Sequence, residues 1–115
     1  MLARSYRLRS AADIARVYRR GTYGASGGVL SVKAARSGRP ASRAVVVVAK
    51  KISKRAVVRN RIRRRLIELL RSTWTTVEPG YDIVVSVHSD ISELTSPVLA
   101  EHLTKALRRA GVLGG

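Results

Sequence analysis

The sequence predicts one α+β domain with helices packed on a sheet in the order αβββαβα. The length of 115 residues suits a single domain, and 45% hydrophobic residues suffice for a modest core. Runs rich in β-branched residues alternate with segments of helical periodicity. Cysteine is absent, which excludes disulfides and thiolate metal sites. We expect residues 1–115 to form one unit, with a basic N-terminal arm over 1–9 and a flexible tail over 113–115.

The first half of the chain predicts one helix followed by strands. Ser10 and Asp13 have the spacing of a capping box, so a helix is expected to begin after Ser10 and to end at Gly21. The segment from Val29 to Ala49 holds three strands in the order given above, or two in the alternative order αββαβα. Its last run, Ala44 to Ala49, is β-branched on both faces, which predicts a central strand of the sheet.

The second half predicts a long helix, a strand and a final helix. After Ser53, the predicted N-cap, apolar residues recur at helical spacing and form one stripe that must pack on the sheet: Val58, Ile62, Leu66, Leu69 and Leu70. A turn at 78–80 leads into a strand over 81–88. Ser96 is expected to cap the last helix, with Pro97 at its first position and Gly111 at its end.

The net charge of +16 points to a polyanionic partner, because solubility alone needs far less. Ten basic residues oppose only Asp13 up to Ala49, and ten more oppose only Glu68 between Lys50 and Arg71. The remainder carries three basic and five acidic residues. The first two-thirds of the chain is therefore expected to contact the polyanion, and the last third to act as scaffold.

The outer face of the long helix is the predicted nucleic-acid surface. Projected around Ile62, it carries Asn60, Arg61, Arg63, Arg64 and Arg71 away from the apolar stripe. The arginine fork suits phosphate oxygens, and a helix that is merely soluble would mix in more acidic residues. Composition leaves several classes open: a structural or ribosomal RNA-binding protein, a small nucleoid DNA binder, and a self-sufficient nuclease, which the lack of an acidic cluster disfavours.

The segment from Val48 to Arg64 resembles the signature of the bacterial ribonuclease P protein subunit. A strand ends in Lys50-Lys51, a short link follows, and a helix opens with Ala56 and continues through Arg59-Asn60-Arg61 to Arg63-Arg64. The segments 13–21 and 81–85 are similar to the first helix and last strand of that family. The resemblance therefore covers most of the chain.

The resemblance implies a single-domain α/β sandwich with a left-handed crossover between the parallel strands, against the usual right-handed preference. It implies that the catalytic RNA contacts Lys50, Lys51, Lys54, Arg55, Arg59, Asn60, Arg61, Arg63 and Arg64. It further implies that the single-stranded 5′ leader of precursor tRNA lies in a cleft between the first helix and the sheet, lined by Ile14, Tyr18, Ser31, Val46, Val48, Val84 and Ser86. The sequence departs from the family at Val45, where glycine is common, and at Ile67 and His88, where arginine is usual.

The activity implied is endonucleolytic removal of the 5′ leader by a ribonucleoprotein whose catalytic centre is RNA. The protein is then expected to supply no catalytic residue and no metal ligand, and magnesium is expected to be held mainly by the RNA. The expected partners are the catalytic RNA and precursor tRNA, with no membrane and no small-molecule substrate. The expected location is the cytoplasm.

Overall fold

The computed structural model describes residues 6–114 and has the predicted order αβββαβα. Its elements are α1 (Ala11–Arg20), β1 (Thr22–Ser26), β2 (Leu30–Arg36), β3 (Arg43–Val48), α2 (Ala56–Thr73), β4 (Tyr81–Val87) and α3 (Ser96–Arg109). A 3-10 turn, Trp74–Thr76, follows α2. The predicted single α+β unit is therefore the fold of the described residues.

The sheet has four strands in the order β1-β2-β4-β3. β1 pairs antiparallel with β2, and β2 pairs antiparallel with β4. β3 pairs parallel with β4, in a register that sets Val45 beside Val84 and Val48 beside Val87. Parallel neighbours need a crossover, and α2 makes it. The left-handed sense of this crossover stays a prediction.

Two of the predicted strand positions are wrong. The first strand, β1, lies at Thr22–Ser26, before the segment in which all three strands were expected. Its sequence is short and polar and contains Gly24, so it lacks the apolar alternation typical of strands. β3 lies at an edge of the sheet although it was expected in the centre. Both of its faces are covered all the same, which explains why its sequence is apolar throughout.

The sheet separates a large core from a small one. On one face, Leu30, Val32, Ile83 and Val85 pack with the buried sides of α2 and α3. On the other face, Val17 of α1 packs with a second cluster that includes Leu8, Ala35 and Val84. Since successive strand residues point to opposite faces, alternate residues of a strand join the large core and those between them join the small one.

The helix starts match the sequence at α1 and differ by one or two residues elsewhere. Ser10 caps α1, and its side chain accepts a hydrogen bond from the Asp13 amide at 3.3 Å, as predicted. α2 begins after Arg55, and Ser53 Oγ accepts from the Arg55 amide at 3.2 Å without capping the helix. α3 is capped by Thr95, so Ser96 is its first residue and not its cap.

Both ends of the described chain are tied to the fold. Leu8 is buried, and its amide donates to the Ala44 carbonyl at 2.9 Å, so part of the basic arm lies along the outer edge of β3. Leu113 bridges Val77, and the Gly114 amide donates to the Thr76 carbonyl at 2.8 Å. The tail expected to be flexible is thus paired at these two residues. The arm over 1–5 and residue 115 lie outside the described residues.

Candidate nucleic-acid interface

The helix α2 presents its arginines from a rigidly packed position. Ile62, Leu66 and Leu70 are buried against the sheet, and Val58 and Leu69 are partly buried beside them. This stripe confirms the predicted packing face. The opposite face must therefore point outward at fixed spacing.

The outward side chains of α2 carry positive charge that the fold leaves unpaired. Arg61 and Arg64 are exposed, and within the described chain no hydrogen bond or ion pair engages their guanidinium groups. Arg63, half buried, donates to Asn60 Oδ1. At the end of the helix, Arg71 pairs with Glu68 at 3.1 Å. The free cationic surface is consequently on the first half of α2.

Two arginines of α2 serve the fold. Arg59 donates to the Ser53 carbonyl at 2.8 Å and so holds the loop between β3 and α2. Arg65 donates to the Ile91 carbonyl at 3.1 Å and to the Leu94 carbonyl at 2.6 Å, which fastens α2 to the loop after β4. The helical projection from the sequence did not place Arg65 on the outer face of α2. Its contacts with the loop after β4 agree with that prediction.

The loop between β3 and α2 extends the basic surface. Lys50, Lys51 and Lys54 lie in it and are exposed, and Arg55 follows at the start of α2. The side chains expected to contact RNA thus form one continuous outer surface, which runs from the end of β3 along the first half of α2. We refer to this surface, Lys50 to Arg64, as the basic ridge.

The opposite side of the sheet carries the residues expected in the leader cleft, with two exceptions. Ile14 and Tyr18 project from α1, and Ser31, Val84 and Ser86 lie on the sheet face that α1 covers. Val46 and Val48 were assigned to this face wrongly, because both pack in the large core on the α2 side. Val45 and Val47 take their place beside α1. The error is a shift of one residue, which in a strand exchanges the two faces.

Sequence reasoning missed two polar groups at this cleft. Lys33 donates to the Tyr18 carbonyl at 2.8 Å, and its ammonium lies 5.9 Å from the centre of the Tyr18 ring. His88 Nε2 and Ser31 Oγ lie 2.6 Å apart at the end of the sheet. The sequence held a signal for Lys33. Its neighbours Val32 and Ala34 are apolar and lie in the large core, so a lysine between them is expected on the opposite face of the strand, toward α1.

A buried ionic network fastens α1 to the sheet. The Asp82 side chain is fully buried, and it accepts hydrogen bonds from Arg16 at 2.5 Å and from Arg43 at 2.8 and 2.7 Å. Arg43 also pairs with Asp13 of α1 at 3.1 Å. The hydrogen bonds that Arg43 donates to Asp82 raise the pKa of Arg43 above its ordinary value, against the effect of burial. The wall of the cleft is therefore set by charge pairing as well as by apolar packing.

Two kinds of feature are absent from residues 6–114. No group of three or more His, Asp or Glu side chains lies close enough together to hold a metal ion in that range. None of the described helices combines the length and the apolar character needed to cross a membrane.

Comparison with known proteins identifies relatives along nearly the whole chain. The model of the family described as Ribonuclease P matches residues 2–111. The ribonuclease P protein component of Roseiflexus castenholzii is 40% identical over 99% of this chain and 93% of its own length. That of a Cyanothece species is 33% identical, over 100% of this chain and 99% of its own.

Solved structures agree with the fold. The RNase P protein from Thermotoga maritima is 26% identical with a TM-score of 0.78, covering 90% of this chain and 96% of its own. The Staphylococcus aureus RNase P protein has a TM-score of 0.81 at 24% identity, covering 95% of this chain and 98% of its own, and supports the fold alone.

Proposed function

This chain belongs to the ribonuclease P protein family, and from that premise we propose that it is the protein subunit that assists removal of the 5′ leader from precursor tRNA. The observation that carries the proposal is the basic ridge, where Arg61 and Arg64 stand exposed and unpaired on a helix fixed to the core. A rigid row of guanidinium groups suits the phosphates of a folded RNA.

The catalytic RNA is proposed to bind the basic ridge. Each arginine that neutralises a phosphate releases condensed counterions, so the contact strengthens as salt is lowered. Because α2 is anchored by buried Ile62, Leu66 and Leu70, the ridge loses little conformational freedom when RNA binds. The Ser53 carbonyl, held by Arg59, keeps the lysine loop next to the helix.

The single-stranded leader is proposed to lie across the cleft on the α1 side. Tyr18 is 44% exposed and offers a ring for stacking, and Lys33 beside it offers a positive charge. Val45 and Val47 replace Val46 and Val48 as the proposed apolar lining from β3. Ser31 and Val84 are buried, and form the floor beneath the more accessible side chains.

Chemistry is assigned to the RNA. Magnesium is proposed to be held mainly by the RNA, because the exposed arginines and lysines of the basic ridge repel a divalent cation and attract phosphate. The described residues do not fit a magnesium site of their own. The contribution proposed for this chain is binding, orientation of the leader and reduction of charge repulsion between RNA segments. The cytoplasm, where precursor tRNA is processed, is its proposed location.

The alternative function is that of a structural or ribosomal RNA-binding protein. One experiment separates the two functions. The protein is combined with a bacterial ribonuclease P RNA, and the affinity of this complex is measured for precursor tRNA and for mature tRNA. We expect the protein to raise affinity for the leader-bearing precursor well above that for mature tRNA. Equal effects on both would favour a structural RNA-binding role.

A further inference from the structure

A small pocket lies at the outer edge of β3. Its volume is about 250 Å³, and it opens between the N-terminal arm, the edge strand and the middle of α2. The surrounding residues are Arg7, Leu8, Arg9, Ala44, Val45, Val46, Arg63, Ile67 and Leu70. We call this the edge pocket. It shares Arg63 with the basic ridge and Val45 with the leader cleft, and its other residues belong to neither surface.

The floor of the edge pocket is apolar and its rim is cationic. Leu8, Val46 and Leu70 are buried side chains of the floor, and Ile67 adds a partly buried wall. Arg9 is exposed at the rim, and Arg63 reaches it from the basic ridge. A pocket with an apolar interior and charge confined to its mouth suits a ligand with a flat apolar body and an anionic group.

The backbone of β3 adds hydrogen-bonding groups to the pocket. The Ala44 carbonyl points away from β4, because it accepts from the Leu8 amide of the arm. Strand backbone groups alternate in direction, so the amide and carbonyl of Val46 point the same way. Beyond Leu8 the arm turns into α1, and no bond from the described chain reaches Val46 on this side. An edge donor and acceptor are thus available beside the apolar floor.

We propose that the edge pocket takes one unpaired nucleotide of the catalytic RNA, with the base on the apolar floor and the phosphate on Arg9 and Arg63. Nucleobases combine a flat stacking face with donors and acceptors at their rim. These features match the floor and the outward backbone groups of Val46, which no described residue bonds on this side. The catalytic RNA is preferred over the leader as source, since Arg63 belongs to the basic ridge and the leader cleft lies on the α1 face. This inference rests on the proposed function.

The first test is binding of adenosine 5′-monophosphate to the full chain, followed by NMR of methyl groups. We expect saturable shifts of the Leu8, Val46 and Ile67 methyl resonances at millimolar nucleotide. Ribose 5-phosphate, which lacks the base, should leave them in place. Absence of shifts, or equal shifts with ribose 5-phosphate, would overturn the proposal by reducing the pocket to a phosphate contact.

A matched pair of variants tests the location. Ile67→Arg places a long charged side chain against the floor, and Val98→Arg adds the same charge at an exposed position near the start of α3, outside both proposed RNA-binding surfaces. Ile67→Arg should weaken nucleotide binding about tenfold or more, and Val98→Arg should not. If Ile67→Arg alters the fold, Arg9→Gln compared with Arg19→Gln on exposed α1 gives the same contrast at the rim. Equal binding within either pair contradicts the proposal.

The last arm uses a bacterial ribonuclease P RNA and a reagent that methylates unpaired adenine and cytosine. The wild-type protein should protect one unpaired base of that RNA, and Ile67→Arg should lose this protection while retaining the others. Protection that is identical with both proteins, or that falls on precursor tRNA instead, overturns the inference. Failure of the proposed function would look different, because the wild-type protein would then neither protect the RNA nor enhance cleavage.

Discussion

Asp82 is the residue on which the position of α1 depends. Its carboxylate is fully buried, and among residues 6–114 only Arg16 and Arg43 compensate its charge. Asp82→Ala leaves these two arginines partly buried without their main partner, which typically costs about 3 kcal/mol. We expect that loss in the free energy of unfolding, measured with urea.

Asp90→Ala is the matched control for Asp82. Asp90 is exposed, and hydrogen bonds from the Ser92 side chain and amide lower its pKa below the ordinary value. Its removal affects one local turn, so the loss of stability should be far smaller. Equal losses of stability for the two variants would show that the ion pairs around Asp82 do not hold α1 on the sheet.

Tyr18 is the residue of α1 that we propose to stack on the leader. On that proposal, Tyr18→Ala should reduce affinity for leader-bearing precursor more than for mature tRNA, because only the precursor carries leader bases. Base stacking on an aromatic ring contributes about 1–3 kcal/mol, so a loss of about tenfold is expected for the precursor. The measurement is equilibrium binding to the protein–RNA complex. Equal losses would remove Tyr18 from the leader cleft.

Individual residues of the cleft were predictable only where the face of a strand was certain. The run from Ala44 to Val48 is apolar at every position, so its sequence holds no alternation from which to choose a face. This uncertainty placed Val46 and Val48 on the wrong side. In β2 the contrast between Lys33 and its apolar neighbours carried the missing information.

The element α2 combines two kinds of arginine that a charge count cannot separate. Arg61→Ala or Arg64→Ala should weaken binding to the catalytic RNA and lower the slope of log affinity against log salt by about one. Unfolding free energy should hardly change, because neither guanidinium group contacts the described fold. A series of binding isotherms at increasing salt measures the slope.

Arg65→Ala is the counterpart on the same helix. Arg65 donates to two loop carbonyls, so its removal should lower stability and leave the salt slope nearly unchanged. If Arg61→Ala and Arg65→Ala affected salt slope and stability alike, the assignment of separate roles on α2 would be wrong.

The strand β1 depends on the glycine at its centre. A methyl group at Gly24 would lie 2.3 Å from the Ala106 carbonyl oxygen and 2.4 Å from the Ala110 amide nitrogen of the α3 end. Gly24→Ala should therefore separate β1 from α3 and lower the thermal midpoint. Gly38→Ala is the control, since only its positive φ of 76° opposes the new methyl group. A larger effect at Gly38 would contradict the packing of β1 on α3.

Elements with strong periodicity were predictable, and the others were not. The apolar stripe of α2 and the Ser10 N-cap of α1 are local patterns, and both are present. β1 is held by tertiary contacts: its pairing with β2 and the close approach of α3 at Gly24. The edge position of β3 is likewise a property of chain topology, which composition does not encode.

At the scale of the whole molecule, the two proposed RNA-binding surfaces lie on opposite sides of one sheet. The basic ridge lies on the α2 side, and the leader cleft lies on the α1 side. The acidic last third supplies β4 and α3, which pack in the large core. Because β4 also places Val84 and Ser86 on the α1 side, the last third is not purely scaffold if the leader binds there. The division between a binding part and a scaffold stays a prediction. On this proposal, the sheet holds the two RNA segments apart.

The most direct test of this account is cleavage of precursor tRNA by a bacterial ribonuclease P RNA at low magnesium, with and without the protein. We expect the protein to enhance removal of the 5′ leader strongly, and we expect Arg61→Ala and Arg64→Ala together to reduce the enhancement. Cleavage that is not enhanced by the wild-type protein would contradict it.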